Sequence, residues 1–514
     1  MWQAFAILLL ALLAFWPSMH REEWRHTEGR RVQIATEMVE SGDWMVPTIG
    51  YEATLTKPPL HYWLLAGLIQ TTWPRSESLL ETINQSKALL RMSSVIAFWL
   101  LALLVFRIID TARGRTAAWL GVCGILFSPV LLHQVPSAEI DPLFTALTAA
   151  SLIALSYGIA YDRCRSVCLG GVLGGCALLA KGPPYFLFIV GAMIVWARRA
   201  KLQHWSWFFL PLFGVPLLYF VPLLAFHVDL AEFLQTVERE SVSRFVSEWS
   251  QVLSIPSYLL RAAAAVLPFA SWTFYEYRGD RARSVRLERY ELLFRMTAAA
   301  AIVGVLLLVL FRSRPTRYFL PAIPLFIFSI APAVAVYIAR GQRPGSLAAK
   351  VVRRLAILGS GLLVVVPFTP FPVLGGVPWF FLALAVGSHV VVTRAELVGY
   401  ALAIPLVAAW TVMPLADDLR EGVEWDRLRA GRVMERELDQ FDVHDHERRD
   451  LSQTFLKWRY GEFPAGSEVV SPDGRWSIVE EPDRKPATMM PGWADRLRVW
   501  IGKRSLVLRE RTPR

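Results

Sequence analysis

This sequence is poor in charge and in cysteine, and both shortages narrow what it can be. Only 19% of its 514 residues are charged while 54% are hydrophobic, and mean hydropathy is +0.39. Apolar runs of such length need lipid as their solvent. The four cysteines, Cys123, Cys164, Cys168 and Cys176, lie in or beside apolar stretches without zinc-ligand spacing. Packing is the expected role for them, which leaves out a disulfide frame or a zinc site. No internal repeat is visible. The net charge of +11 raises nucleic acid as a partner, yet the basic residues fall in short loops between apolar segments, where membrane topology explains them. The opening run from Trp2 to Trp16 has no basic stretch before it and no small-x-small cleavage site after it. It is expected to stay on as an anchor.

What is present is a series of apolar segments long enough to cross a bilayer. They fall at residues 2–18, 86–108, 116–134, 139–160, 167–180, 183–198, 206–227, 256–274, 292–312, 316–339, 352–370, 374–393 and 395–414. These predict an α-helical polytopic membrane protein with about 13 transmembrane helices. Residues 59–73 are apolar but short and follow Pro58-Pro59, which predicts an interfacial or re-entrant helix. With a cytoplasmic N-terminus, the arginine-bearing loops at 107–115, 161–166, 198–201, 275–291 and 340–354 all fall inside. An odd number of spans then puts the C-terminus on the exterior, periplasmic side of the cell membrane. Composition turns polar after residue 414. Residues 1–414 are therefore expected as a membrane domain and 415–514 as a small exterior α/β domain. A helix is predicted over 417–450 and a hairpin over Glu468–Val479, turning at Asp473-Gly474.

Two exterior stretches carry cations where the positive-inside tendency disfavours them: 21–58 within the first exterior loop (19–85), and 312–317. An anionic ligand would account for both. Arg30, Lys57, Lys181, Arg314 and Arg317 are the candidates to hold phosphate oxygens. Among the acids, Glu28 and Asp141 stand at the same membrane boundary, where a carboxylate is costly to hold unless it is used. Both are candidates for proton transfer. Asp141 also suits the first turn of its helix, facing the positive end of the dipole. Residues 27–41 carry an apolar stripe at Ile34, Ala35 and Met38 and predict a helix lying flat on the bilayer. His61, Tyr62, Trp63, Tyr258 and Tyr318 are candidates to line a sugar site.

The order TEGRRVQIATEMVESGDWMVP…LTKPPLHYW resembles the first exterior loop of the bacterial GT-C glycosyltransferases, the aminoarabinose-lipid A transferase and protein O-mannosyltransferase-like superfamily. Asp141 after a small-residue run, LLAKGPP at 178–184 and SRPTRYFLP at 313–321 extend the likeness to about residue 330. The resemblance implies a GT-C fold, a polyprenyl-phosphate sugar donor and an inverting transfer to a lipid, glycan or protein acceptor at the outer face. Lipid-linked sugar transport and surface-polysaccharide polymerisation or ligation are the alternatives. Two positions depart from the family pattern. Its Asp-Glu pair is Thr27-Glu28 here, and the glutamate before its lysine is Thr56. The second change argues against a metal site built on that glutamate, and no cofactor is expected.

Overall fold

The structure is a computed structural model describing residues 2–20, 27–49, 52–72, 86–197, 201–228, 230, 231, 233, 286–309 and 316–339, with four strands between 468 and 511. The spans expected at 256–274, 352–370, 374–393 and 395–414, the helix at 417–450, and Arg314 and Tyr258 lie outside the described residues.

Every expected span within them is helical: α1 (Trp2–Met19), α4 (Lys87–Arg113), α5 (Arg115–Leu126), α6 (Pro129–Gln134), α7 (Ile140–Ala160), α8 (Cys164–Lys181), α9 (Pro184–Trp196), α10 (Leu202–Phe226), α11 (Arg286–Leu308) and α12 (Ala322–Ala339). Five of these helices contain stretches long and apolar enough to cross a membrane, in α4, α7, α8, α10 and α11. The expected single span 116–134 is two helices. Ser128 is extended (ψ 126°) ahead of Pro129, which starts α6. A residue before proline avoids the helical region, and proline is at home in a first turn. A 3₁₀ turn, Thr316–Phe319, precedes α12.

Helix α7 is the axis of the bundle. All its residues except Leu147 and Tyr157 are buried, as a helix apolar on every side should be. Its neighbour α8 is the least apolar of the five, and glycine explains how it packs. A Cβ on Gly171 would stand 2.3 Å from the Phe208 carbonyl oxygen of α10, and one on Gly170 3.0 Å from the Ser151 oxygen of α7. Small residues let backbones approach where lipid offers no hydrophobic drive between helices.

Between α1 and α4 lie α2 (Glu28–Ser41), a two-stranded ribbon β1–β2 (Thr48–Ile49, Glu52–Ala53) and α3 (Leu60–Thr72). Helix α2 is packed rather than open-faced: Val32, Ile34, Ala35 and Met38 are fully buried, and so, nearly, are Gln33 and Glu37. Both Glu37 oxygens are engaged, while Gln33 Oε1 has no partner among the described residues. Gln33 Nε2 donates to Glu37 Oε1 (2.9 Å), and Thr48 Oγ1 donates to Glu37 Oε2 (2.8 Å). The stripe expected at Ile34, Ala35 and Met38 is buried, and polar partners let α2 bury a second face as well. After α2 the chain turns at Gly42 in the left-handed region (φ 72°), its N–H on the Met38 oxygen. Asp43 Oδ1 then accepts from the Met45 and Val46 amides at 2.8 and 3.2 Å. Trp63 Nε1 donates to the Trp44 oxygen (2.6 Å), and Tyr219 to the Met45 oxygen (3.0 Å). Gly-Asp-Trp is a turn that anchors α3 and α10.

Near the C-terminus, β3 (Glu468–Val470) pairs antiparallel with β4 (Trp476–Glu481), aligning Glu468 with Val479, as the hairpin reading expected. Strands β5 (Trp493–Ile501) and β6 (Arg504–Arg511) complete a four-stranded sheet in the order β3-β4-β6-β5.

Candidate functional site

The short connection between α6 and α7, residues 135–139, is tied to three other elements. Ser94 of α4 donates to the Ser137 oxygen at 2.7 Å. The Ala138 amide donates to Glu28 Oε1 at 2.6 Å, while His61 Nε2 donates to the Ala138 oxygen at 2.7 Å. Glu139 Oε1 accepts from the Thr27 amide at 3.0 Å. Burial lowers His61 to about 4. The ring is therefore neutral, with its proton on the nitrogen that faces a carbonyl.

Glu28 is sealed. Its two oxygens meet Arg91 Nε (3.1 Å) and Nη2 (3.2 Å), and Arg91 Nη1 reaches the Met19 oxygen at 2.9 Å. Both side chains have 0% exposure. This is an anchor joining the end of α1, the start of α2 and the start of α4. A carboxylate already satisfied by a guanidinium and an amide is poorly placed to take a further proton.

Asp141, in the first turn of α7, is bound by Lys181 at the end of α8, and about a tenth of each side chain is exposed. The Lys181 ammonium also lies over the Tyr318 ring at 4.7 Å and the Phe144 ring at 5.3 Å, where the aromatic quadrupoles add to its fixation. From the 3₁₀ turn, Arg317 Nη1 approaches Glu139 Oε2 at 3.8 Å. Gly182 is left-handed (φ 85°), and a Cβ there would meet Pro58 Cγ at 3.9 Å, so Pro58 lies beside the residue that follows Lys181. Lys57 Nζ donates to the Thr56 oxygen at 3.0 Å. Residues distant in sequence thus gather at one end of the bundle as cations and carboxylates in largely buried positions. Such a group can hold an anion and exchange a proton with it.

Known proteins resemble this chain in sequence and in fold. Residues 2–232 match the family described as dolichyl-phosphate-mannose-protein mannosyltransferase. The chain is 28% identical over 211 residues to an undecaprenyl phosphate-alpha-4-amino-4-deoxy-L-arabinose arabinosyl transferase of Shewanella sediminis, covering 39% of this chain and 36% of that protein. An uncharacterised Aquifex aeolicus protein is 25% identical over 301 residues, 54% of this chain and 66% of its own length. The match therefore spans little more than a third of the length of the named transferase. The crystal structure of ArnT from Cupriavidus metallidurans bound to undecaprenyl phosphate superposes with a TM-score of 0.69 at 17% identity, over 98% of this chain and 97% of that one. The chain therefore shares the fold of that ArnT structure, and its first 232 residues resemble the mannosyltransferase family.

Within this bundle, Asp141, Lys181, Arg317 and Tyr318 come together, with Lys57 next to Pro58 in the adjoining segment. The aromatics named from the first loop sit deeper. His61 and Tyr62 have 0% exposure, and Trp63 packs edge-on to Tyr219 with ring centres 5.5 Å apart. Arg30 is half-buried on α2, but it is the adjacent Arg31 that donates to the Tyr62 hydroxyl at 2.7 Å and covers its ring at 5.8 Å. Sequence reasoning missed three residues: Arg31, Arg91 and Glu139. Of these only Glu139 had a signal, an acid two positions ahead of Asp141 in SAEIDP.

Proposed function

We propose that this chain transfers a sugar from a polyprenyl-phosphate donor to a hydroxyl or phosphate group of a lipid acceptor, with inversion, at the exterior face of the membrane. The observation carrying the proposal is the placement of Lys181 at the end of α8. Asp141 holds it, two aromatic faces flank it, and Arg317 and the Lys57 segment lie close by. A cation so fixed needs no reorganisation when charge builds on a departing phosphate, and losing one such donor typically costs about 10²–10³ in rate. The named relatives act with undecaprenyl-phosphate-linked aminoarabinose, and a protein of the same fold binds undecaprenyl phosphate. That lipid class matches the anion the cations are suited to hold.

In the reaction, Lys181, Arg317 and Lys57 meet the donor phosphate, and the acceptor oxygen approaches the anomeric carbon from the far side. A carboxylate of this end takes the acceptor proton, worth about 10²–10⁴ in rate. Glu28 fixes the α6–α7 connection, and Asp141 orients Lys181. Arg113, Arg163 and Lys201 mark the opposite end of the bundle, which supports a cytoplasmic position for that end and for the N-terminus.

The test is transfer from labelled undecaprenyl-phosphate aminoarabinose to a lipid A-containing lipid extract by purified protein in nanodiscs. Transfer is expected in wild type, with a fall of about 10²-fold or more in Lys181→Met and Asp141→Asn. Wild-type rates in both variants, or no transfer by the wild type, would end the proposal.

A further inference from the structure

We propose that Glu139 is the catalytic base, the residue that takes the proton from the acceptor hydroxyl. This rests on the glycosyl-transfer function proposed above and assigns the proton acceptor within that site.

Among the described residues, three carboxylates meet at or beside the α6–α7 connection, and their surroundings separate them. Glu28 has both oxygens engaged by Arg91, and Oε1 also takes the Ala138 amide. Asp141 is bound by the Lys181 ammonium. Glu139 is fixed at one oxygen only: Oε1 accepts from the Thr27 amide, while Oε2 has no hydrogen-bond partner among the described residues. The nearest cation to that oxygen among them, Arg317, is 3.8 Å away, beyond hydrogen-bond length. The side chain is 2% exposed. A buried carboxylate oxygen left open in this way is costly unless a ligand completes it.

Position supports the same role. Glu139 directly precedes α7, outside the segment that crosses the membrane and two residues from Asp141. It lies against residue 27, where the family resemblance has an acid and this chain has Thr27. A carboxylate has in effect been supplied to that place from a different loop. Its basicity suits the task. Burial, followed by the neighbouring Asp141 charge, raises Glu139 to about 7, against the lowering influence of Arg317 and the Thr27 amide. A general base works best near the working pH. The charged groups facing it are Asp141 and Glu28, which strengthen its hold on a proton, and Arg317, which weakens it. A donor phosphate that draws Arg317 away would make Glu139 more basic as the substrate arrives.

The step balances. The acceptor O–H bond breaks and its proton passes to Glu139 Oε2. The acceptor oxygen bonds to the anomeric carbon, and the carbon–oxygen bond to phosphate breaks, its electron pair staying on the polyprenyl phosphate beside Lys181 and Arg317. Glu139 later returns the proton to water.

Glu139→Gln is the decisive variant, because an amide oxygen can still accept from the Thr27 amide and keep the side chain in place. In the nanodisc transfer assay, Glu139→Gln is expected to bind undecaprenyl phosphate and melt as wild type does while losing about 10²–10⁴ in rate. Wild-type rate should rise with pH through about 7, and the residual Glu139→Gln rate should not. Glu139→Asp should retain part of the activity. If Glu139→Gln keeps its rate within about threefold and only Glu139→Ala fails, the residue merely positions Thr27 and the base assignment is overturned. Absence of transfer by wild type overturns the glycosyl-transfer function as well, so the two failures are distinguishable.

Discussion

The two ends of this helix bundle use the same charged side chains under opposite conditions. At the site end, Glu28 and Arg91 are wholly enclosed, and Asp141 and Lys181 nearly so. At the other end, Lys201 pairs with Asp162 with 59% and 50% of the side chains exposed, and His204 Nε2 reaches Asp162 at 3.0 Å. Nearby, Arg163 covers Tyr157 at 5.6 Å and Arg113 covers Tyr290 at 5.6 Å. Water screens Lys201 and Asp162, so that pair contributes little and tolerates change, although His204 beside it is buried. The enclosed set cannot be broken piecemeal, because removing one partner strands the other's charge out of water.

Arg91→Met should show the largest effect. It leaves Glu28 uncompensated and should cost about 3–5 kcal/mol, read as a fall in unfolding temperature in nanodiscs. The double variant Arg91→Met/Glu28→Gln should recover most of that loss. A single variant melting like wild type would erase the contrast between the ends.

A smaller effect should follow pH. His61 is lowered from 6.5 to about 4 by burial, so between those values the unfolded chain binds the proton and the folded chain does not. Stability should therefore fall as pH drops from 6.5 towards 4, by up to about 3 kcal/mol at 1.36 kcal/mol per unit. His61→Gln, which can still donate to the Ala138 oxygen, should flatten that slope. An unchanged slope would locate the dependence elsewhere.

The smallest effect is expected at the exposed end. Asp162→Asn and Lys201→Met should leave the unfolding temperature within error at neutral pH. The Lys201 hydrogen bond holds Asp162 below the usual aspartate range, so whatever the pair adds is present above that range. It disappears as pH falls through the lowered value. A clear loss in either variant at pH 7 would show that exposure is not what divides the two ends.

Much of the bundle was legible because apolar length is a strong, local signal. Every expected span within the described residues is helical, one of them as two helices, and α8 needed only its glycines to explain how so modestly apolar a segment packs. Lys181, Asp141 and Arg317 were legible for a related reason, as isolated charges at span boundaries. Partnership was not. Whether Glu28 would face a substrate or Arg91 depends on two helices meeting across 63 residues of chain, and no periodicity reports that. That Arg31 reaches Tyr62 is the same difficulty in miniature, since one residue of helical phase decides it. The Ser128-Pro129 break was readable from proline chemistry, yet the apolar run on both sides of it hid the interruption.

Ala138 is gripped through both of its peptide groups, its amide by Glu28 and its carbonyl by His61. Glu139 follows it directly, so any shift of α2 or α3 drags that acid along like a tiller moving a rudder. Sequence drift in the first exterior segment should then surface as altered turnover well before it surfaces as a protein that fails to assemble.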